Sequence, residues 1–150
     1  MPPIDVPPEP PVGLALQRAT KQVQAAFEAA MAAEGGSVPT WLVLLAIKTQ
    51  GGANQRGLAD QLGLRQPTVT HHLAAMEAAG LLTRERDPGN RRAQQVTLTA
   101  EGEAMFHRLR EVAQRFDEAL RTGIEAAELD AFRAVLDRLV ANSATGASAD

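Results

Sequence analysis

Four arginines, Arg84, Arg86, Arg91 and Arg92, crowd into the stretch RERDPGNRRAQQVTLT. A guanidinium keeps its charge at any physiological pH and presents a planar fork of N–H donors that fits carboxylates and phosphates. The cluster therefore reads either as a solvated turn or as a cationic probe for a polyanion. Just upstream, LRQPTVTHHLAAMEAAG carries Gln66, Thr68, Thr70 and His71. Such side chains can hydrogen-bond base edges, and the small alanines among them let a helix enter a groove about 12 Å wide. Catalytic chemistry has no comparable support. Cys and Tyr are absent, His71 and His72 are adjacent, and His107 stands far along the chain. No paired carboxylates, Gly-rich phosphate loop or metal-ligand spacing stands out, so no enzyme, cofactor or metal is expected.

At 150 residues and 45% hydrophobic, the chain allows one globular domain with a real core. The longest apolar run, Trp41 to Ile47, is too short to cross a bilayer, and the N-terminus lacks the basic start and apolar stretch of a signal peptide. A cytoplasmic protein without a membrane role is expected. The net charge is -3, yet its distribution is uneven. Residues 1–50 sum to -1, residues 99–150 to -4, and residues 51–98, with six arginines against four acids, to +2. Local sign decides how a polyanion docks, and the positive part surrounds the arginine cluster.

These residues need elements to hold them. The first eleven residues contain six prolines and are read as a disordered or extended leader, with a Pro-rich ligand for a partner as the other reading. From Val12 to Ala33, Leu16, Val23, Phe27 and Met31 recur at helical spacing. Ser37 and Pro39 open a second helix, apolar nearly all round through TWLVLLAI and therefore central. Asn54 suits the N-cap of a helix over Gln55 to Leu62, Gly63 suits its left-handed end, and Pro67 the first position of the next helix. Two short helices joined this tightly form a helix-turn-helix. At about 100° per residue, Leu73 and Met76 lie within about 40° of Val69 and define a buried stripe, leaving Pro67, Thr70, His71, Ala74 and Ala78 opposite. That opposite face is either an Ala-rich solvated surface or a reading face; His72 falls at the boundary. After Gly80, residues 81–86 and 93–98 alternate as strands around the turn residues 87–92. A hairpin directly after a helix-turn-helix is a wing.

The run QRGLADQLGLRQPTVTHHLAAMEAAGLLTRERDPGNRRAQQVTLTAEG resembles the MarR family of bacterial transcription regulators. The resemblance covers about Trp41 to Gly102 and is carried by Leu73, Met76, Glu77, Gly80, Leu81, Arg84, Asp87-Pro88, Arg91-Arg92, Val96, Leu98-Thr99 and Gly102 in order and spacing. It implies a mainly α fold with a small β-hairpin wing, a winged helix-turn-helix flanked by N- and C-terminal dimerisation helices. It also implies a sequence-specific DNA-binding regulator, a ligand-responsive repressor on a pseudo-palindromic operator. On this chain Gln66, Pro67, Thr68, Thr70 and His71 would enter the major groove. Arg84, Arg86, Asn90, Arg91 and Arg92 would form the wing, and Gln55, Arg56 and Arg65 would meet phosphates of double-stranded DNA. The family commonly has Asp-x-Arg at the wing tip; here the slot reads Asn90-Arg91-Arg92, which leaves open which arginine enters the minor groove. A winged-helix interaction module without DNA binding is the alternative.

Phe106, Leu109, Ala113, Phe116 and Leu120, and beyond Gly123 the set Leu129, Phe132, Leu136 and Leu139, repeat at heptad-like spacing. That describes a seam, either within one chain or, as the resemblance implies, in a homodimer. The expected organisation is a leader over 1–11, a single winged-helix domain over 12–142 and a disordered tail over 143–150. Within the domain, a DNA-binding lobe over about 38–98 is flanked by dimerisation helices over about 12–34 and 100–142. The resemblance further implies an effector pocket where Arg18, Trp41 or His107 would meet a small aromatic or anionic compound, unless Trp41 is simply core.

Overall fold

Among the described residues, caps and glycines mark out six helices and one hairpin. The computed structural model describes residues 8–50 and 55–146, with the side chains of Gln50, Gln55, Arg56 and residues 90–93 outside that description. In order the elements are α1 (Val12–Ala33), α2 (Val38–Gln50), α3 (Gln55–Leu62), α4 (Gln66–Ala78), β1 (Leu82–Asp87), β2 (Asn90–Leu98), α5 (Ala100–Leu120) and α6 (Ala126–Gly146). The architecture is the mainly α winged helix-turn-helix expected. Ser37 caps α2, its Oγ accepting the Thr40 N–H at 3.2 Å. Gly63 adopts φ 61° and ends α3 as expected. The Asn54 cap lies outside the described residues, as do residues 1–7 of the leader and 147–150 of the tail.

Three boundaries differ from the sequence reading. Pro67 takes the second position of α4, because Arg65 is its N-cap, held extended at φ -70°, ψ 144° without a side-chain capping bond. The α6 helix continues to Gly146, past the expected start of the tail. The wing turn is tighter than the segment 87–92: Asp87 pairs with Asn90, and only Pro88 and Gly89 separate the strands. Asp87 closes that turn by accepting the Gly89 N–H on Oδ1 at 2.9 Å. Between Arg86, opposite Gln94, and Asp87, opposite Asn90, the register shifts, so residues 91–93 fall in an irregular stretch of β2.

The described residues form two compact units, divided between Gln114 and Arg115. The division falls within α5, not at the edges of a 38–98 lobe, because α1 and α5 feed the same core. Met31 of α1 and Phe106, Leu109 and Val112 of α5 are buried with Trp41, Val43, Leu44, Ala46 and Ile47 of α2, Leu58 of α3, and Leu82 and Val96 of the hairpin. A fully buried leucine such as Leu44 or Leu58 contributes roughly 1.5–3 kcal/mol over an exposed one. The second unit buries little: no residue of α6 is buried, and Phe132 is 56% and Val140 69% exposed. No single helix among the described residues is long and apolar enough to cross a membrane.

The wing is rooted where α4 ends. Gly80 turns at φ 75°, and the Gly80 and Leu81 N–H groups donate back to Glu77 and Met76, each at 2.9 Å. Thr99, the N-cap of α5, then ties the returning strand of the wing to this turn. Its N–H donates to the Leu81 carbonyl at 3.1 Å, its hydroxyl donates to the Gly80 carbonyl at 2.6 Å, and the same hydroxyl accepts the Gly102 N–H at 3.1 Å. Gly102 lies so close to this junction that a Cβ there would overlap the Leu81 carbonyl oxygen. Gly102→Ala is expected to lower stability by about 1–3 kcal/mol, the usual range for forced overpacking, read from the urea unfolding midpoint.

Candidate nucleic-acid interface

α4 presents two faces with different chemistry. Val69, Leu73 and Met76 are buried, as the wheel predicts, and lock the helix against the core. Gln66, Pro67, Thr68, Thr70, His71, Ala74 and Ala78 are exposed. Thr70 returns its hydroxyl to the Gln66 carbonyl at 2.9 Å. His71 is exposed and His72 half-buried, their rings edge-on at 5.9 Å. Glu77 is the one acid of α4, and it turns to the wing. The outward face is left with donors and acceptors and no negative charge.

The wing arginines separate into different roles. Arg65 and Arg86 are exposed, and the side chains of Gln55, Arg56, Asn90, Arg91 and Arg92 lie outside the described residues. Arg84 departs from the expectation of a DNA-facing residue. Its Nε and Nη2 both donate to Glu77 Oε2, at 2.9 and 2.7 Å, and its backbone N–H donates to Glu77 Oε1 at 3.2 Å. The Arg84 side chain is only 18% exposed. On an alternating strand Arg84 shares the inward face of Leu82, so its charge is used within the fold. The Arg84 guanidinium, helped by the Arg84 backbone N–H, holds the Glu77 carboxyl below its ordinary value, while partial desolvation opposes the shift.

Lys48 makes a second tie between elements. Its Nζ lies 2.9 and 3.2 Å from the carboxylate oxygens of Glu103 and 5.4 Å from the centre of the Phe106 ring, joining α2 to α5. Phe106 stacks on Trp41 at 5.8 Å and meets His107 edge-on at 5.5 Å. Trp41 is thus core, His107 is exposed beyond the same ring, and Arg18 is exposed on α1. A pocket of 350 Å³ opens elsewhere in this unit, lined by Ser37, Thr40, His72, Met76, Leu81 and Met105 among others, and by none of the three expected residues.

The profile of the MarR family matches residues 37–93. The transcriptional regulator HosA of Escherichia coli O157:H7 is 32% identical over 94 residues, covering 63% of this chain and 70% of that protein. This chain belongs to the MarR family of transcriptional regulators. Among solved MarR-like structures, the transcriptional repressor CouR bound to a 23-mer DNA duplex is 30% identical with a TM-score of 0.77, over 87% of this chain and 92% of that one. Bordetella bronchiseptica BpsR, whose DNA binding is regulated by 6-hydroxynicotinic acid, is 26% identical with a TM-score of 0.75, over 87% and 93%.

For this MarR-family chain, residue types alone did not reveal the pairing of Glu77 with Arg84 or of Lys48 with Glu103. The first had a faint signal, opposite charges on either side of the Gly80 break; the second joins positions 55 residues apart and had none. The lowered Glu77 carboxyl makes stability depend on pH in a defined direction. Because its folded value lies below the ordinary 4.5, its contribution is complete above that pH and is lost as pH falls through the folded value. The gap in urea midpoint between wild type and Glu77→Gln should hold steady from neutrality to about pH 5 and shrink below it. An equal gap at pH 3 and pH 7 would contradict the pairing.

Proposed function

We propose that this chain binds a pseudo-palindromic operator as a homodimer and acts as a ligand-responsive repressor, not an enzyme, in the cytoplasm. The observation that carries this reading is the exposed, acid-free polar face of α4, continuous in sequence with an arginine-bearing wing. Docking is electrostatic: Arg65, with Gln55 and Arg56, meets phosphates, and each neutralised phosphate releases condensed counterions. Gln66, Pro67, Thr68, Thr70 and His71 then face base edges in the major groove. Arg91 or Arg92 enters the narrow minor groove, whose negative potential attracts a guanidinium, with Arg86 on the flank. The DNA-bound CouR structure supports this assignment by likeness of fold and sequence.

Dimer formation is supported by apolar surface that a lone chain would leave wet. Val12, Leu16 and Val23 of α1 and Phe132, Val135 and Val140 of α6 are exposed. A pocket of 490 Å³ lined by Leu120, Ile124, Leu129 and Phe132, together with Asp117, Arg121, Glu128 and Arg133, belongs to the same helical unit as α6. Two-fold pairing sets half-sites about one helical turn apart. For the effector, the pocket bordered by Ser37, Thr40 and His72 offers two hydroxyls and an imidazole over the apolar Met76 and Met105, which suits a small aromatic or anionic compound better than the dispersed Arg18, Trp41 and His107. That BpsR responds to 6-hydroxynicotinic acid supports an effector of this size.

In a salt-titrated gel shift on the DNA upstream of its own gene, Arg91→Ala with Arg92→Ala should weaken binding by more than about tenfold and flatten the salt dependence. Unchanged affinity and slope would remove the wing from the mechanism, and no shift of any duplex at low salt would favour a protein-interaction module. Selection from a randomised library should give His71→Ala an altered base preference within each half-site; an identical profile excludes His71 as a reader.

A further inference from the structure

A winged helix reads DNA with two rigid pieces, and the angle between them must be set before binding or paid for during it. In this chain α4 and β1 are joined by the Gly80 turn, whose backbone alone would allow a range of angles. Burial of Leu82 and Val96 in the shared core narrows that range, and one carboxylate narrows it further. Glu77 stands in the last turn of α4, and both of its oxygens go to a single residue of β1. Oε2 takes the guanidinium through two N–H groups; Oε1 takes the backbone N–H of the same Arg84. A pair made only through side chains would let the strand slide while the long arginine followed. Here the backbone bond fixes the strand itself, and the guanidinium, with its side chain mostly covered, fixes the approach. The bonded N–H lies on the edge of β1 that β2 leaves open, since Arg84 faces Val96 across the hairpin and gives its one N–H to Glu77.

We propose that Glu77 is a positioning residue for DNA recognition: through Arg84 it presets the wing against α4, so that one bound orientation delivers α4 to the major groove and the arginine tip to the adjacent minor groove. This rests on the DNA-binding reading above. Without Glu77, α4 keeps its buried stripe and its reading face, because Val69, Leu73 and Met76 are held by the apolar core and not by the Glu77 carboxylate. The wing keeps its root at Thr99 and Leu81. What is lost is the fixed relation between them. The signature is therefore a selective loss of wing contacts, unlike the even loss that general destabilisation produces.

The test uses the full-length chain and a duplex selected from a randomised library by the wild-type protein. Glu77→Gln keeps an acceptor for the Arg84 N–H but not the charge; Glu77→Ala removes both; Glu77→Arg with Arg84→Glu reverses the pair. Circular dichroism and thermal melts at neutral pH confirm that each variant is folded at the binding temperature. Affinity is expected to fall about fivefold for Glu77→Gln and about tenfold or more for Glu77→Ala, a size in keeping with loss of charge-assisted bonds, with partial recovery in the reversed pair. Hydroxyl-radical footprints should lose protection in the minor groove flanking each half-site, while methylation protection of major-groove guanines persists. If wild type selects and binds a duplex but Glu77→Ala matches its affinity and flank protection, the proposal fails and the DNA reading stands. A uniform weakening of both footprints also overturns it, by making Glu77 merely structural. If wild type selects no duplex, the DNA reading fails and the proposal with it.

Discussion

The outward chemistry of α4 exists because its other side is anchored. Val69, Leu73 and Met76 enter the core shared by α2, α3 and the hairpin, and that burial sets the rotation of the helix about its own axis. A turn of about 100° shifts by one residue which side chains face out, so Gln66, Thr70 and His71 are presented together only in this rotation. The hydrophobic effect has no direction of its own. Here the spacing of three apolar residues gives it one, and hydrogen-bonding groups are displayed as a result.

Much of this was legible locally. The limits of α1 and α3, the central place of α2, the left-handed Gly63 and the buried stripe of α4 all follow from short-range spacing and glycine stops, which neighbouring residues settle among themselves. The failures are of another kind. Pro67 sits one position later than expected because Arg65 takes the N-cap by backbone conformation alone. The wing turn closes on two residues because Asp87 bonds inward to Gly89. Arg84 looks like its neighbours in a list of arginines, and only the geometry at Gly80 brings Glu77 to it. The small pocket gathers Ser37, His72 and Met105 from three distant segments, a convergence that no local pattern encodes.

Charge follows the same division between local and tertiary causes. Lys48 lies against Glu103 and the Phe106 ring, and Arg84 lies against Glu77, so two cations of this chain serve to tie helices and strand together. Exposed pairs such as Lys48 with Glu103 add little stability, a median of about 0–1 kcal/mol. Their value lies in direction: each specifies one approach of two elements that apolar contact alone would leave loosely defined. Arg65 and Arg86, by contrast, remain on the surface.

The root of the wing has a consequence for how such a protein can change. The Thr99 N–H meets the Leu81 carbonyl, so the chain leaves the helical core and re-enters it at points one hydrogen bond apart. Beyond Leu82 and Val96, which enter the core, the hairpin is a closed excursion whose length the core does not sense. Residues can be added to or trimmed from its far end without altering where α4 stops or α5 starts. The fold thus separates a conserved-volume interior from a projecting cassette, and lets the reach of the protein vary while its packing stays the same.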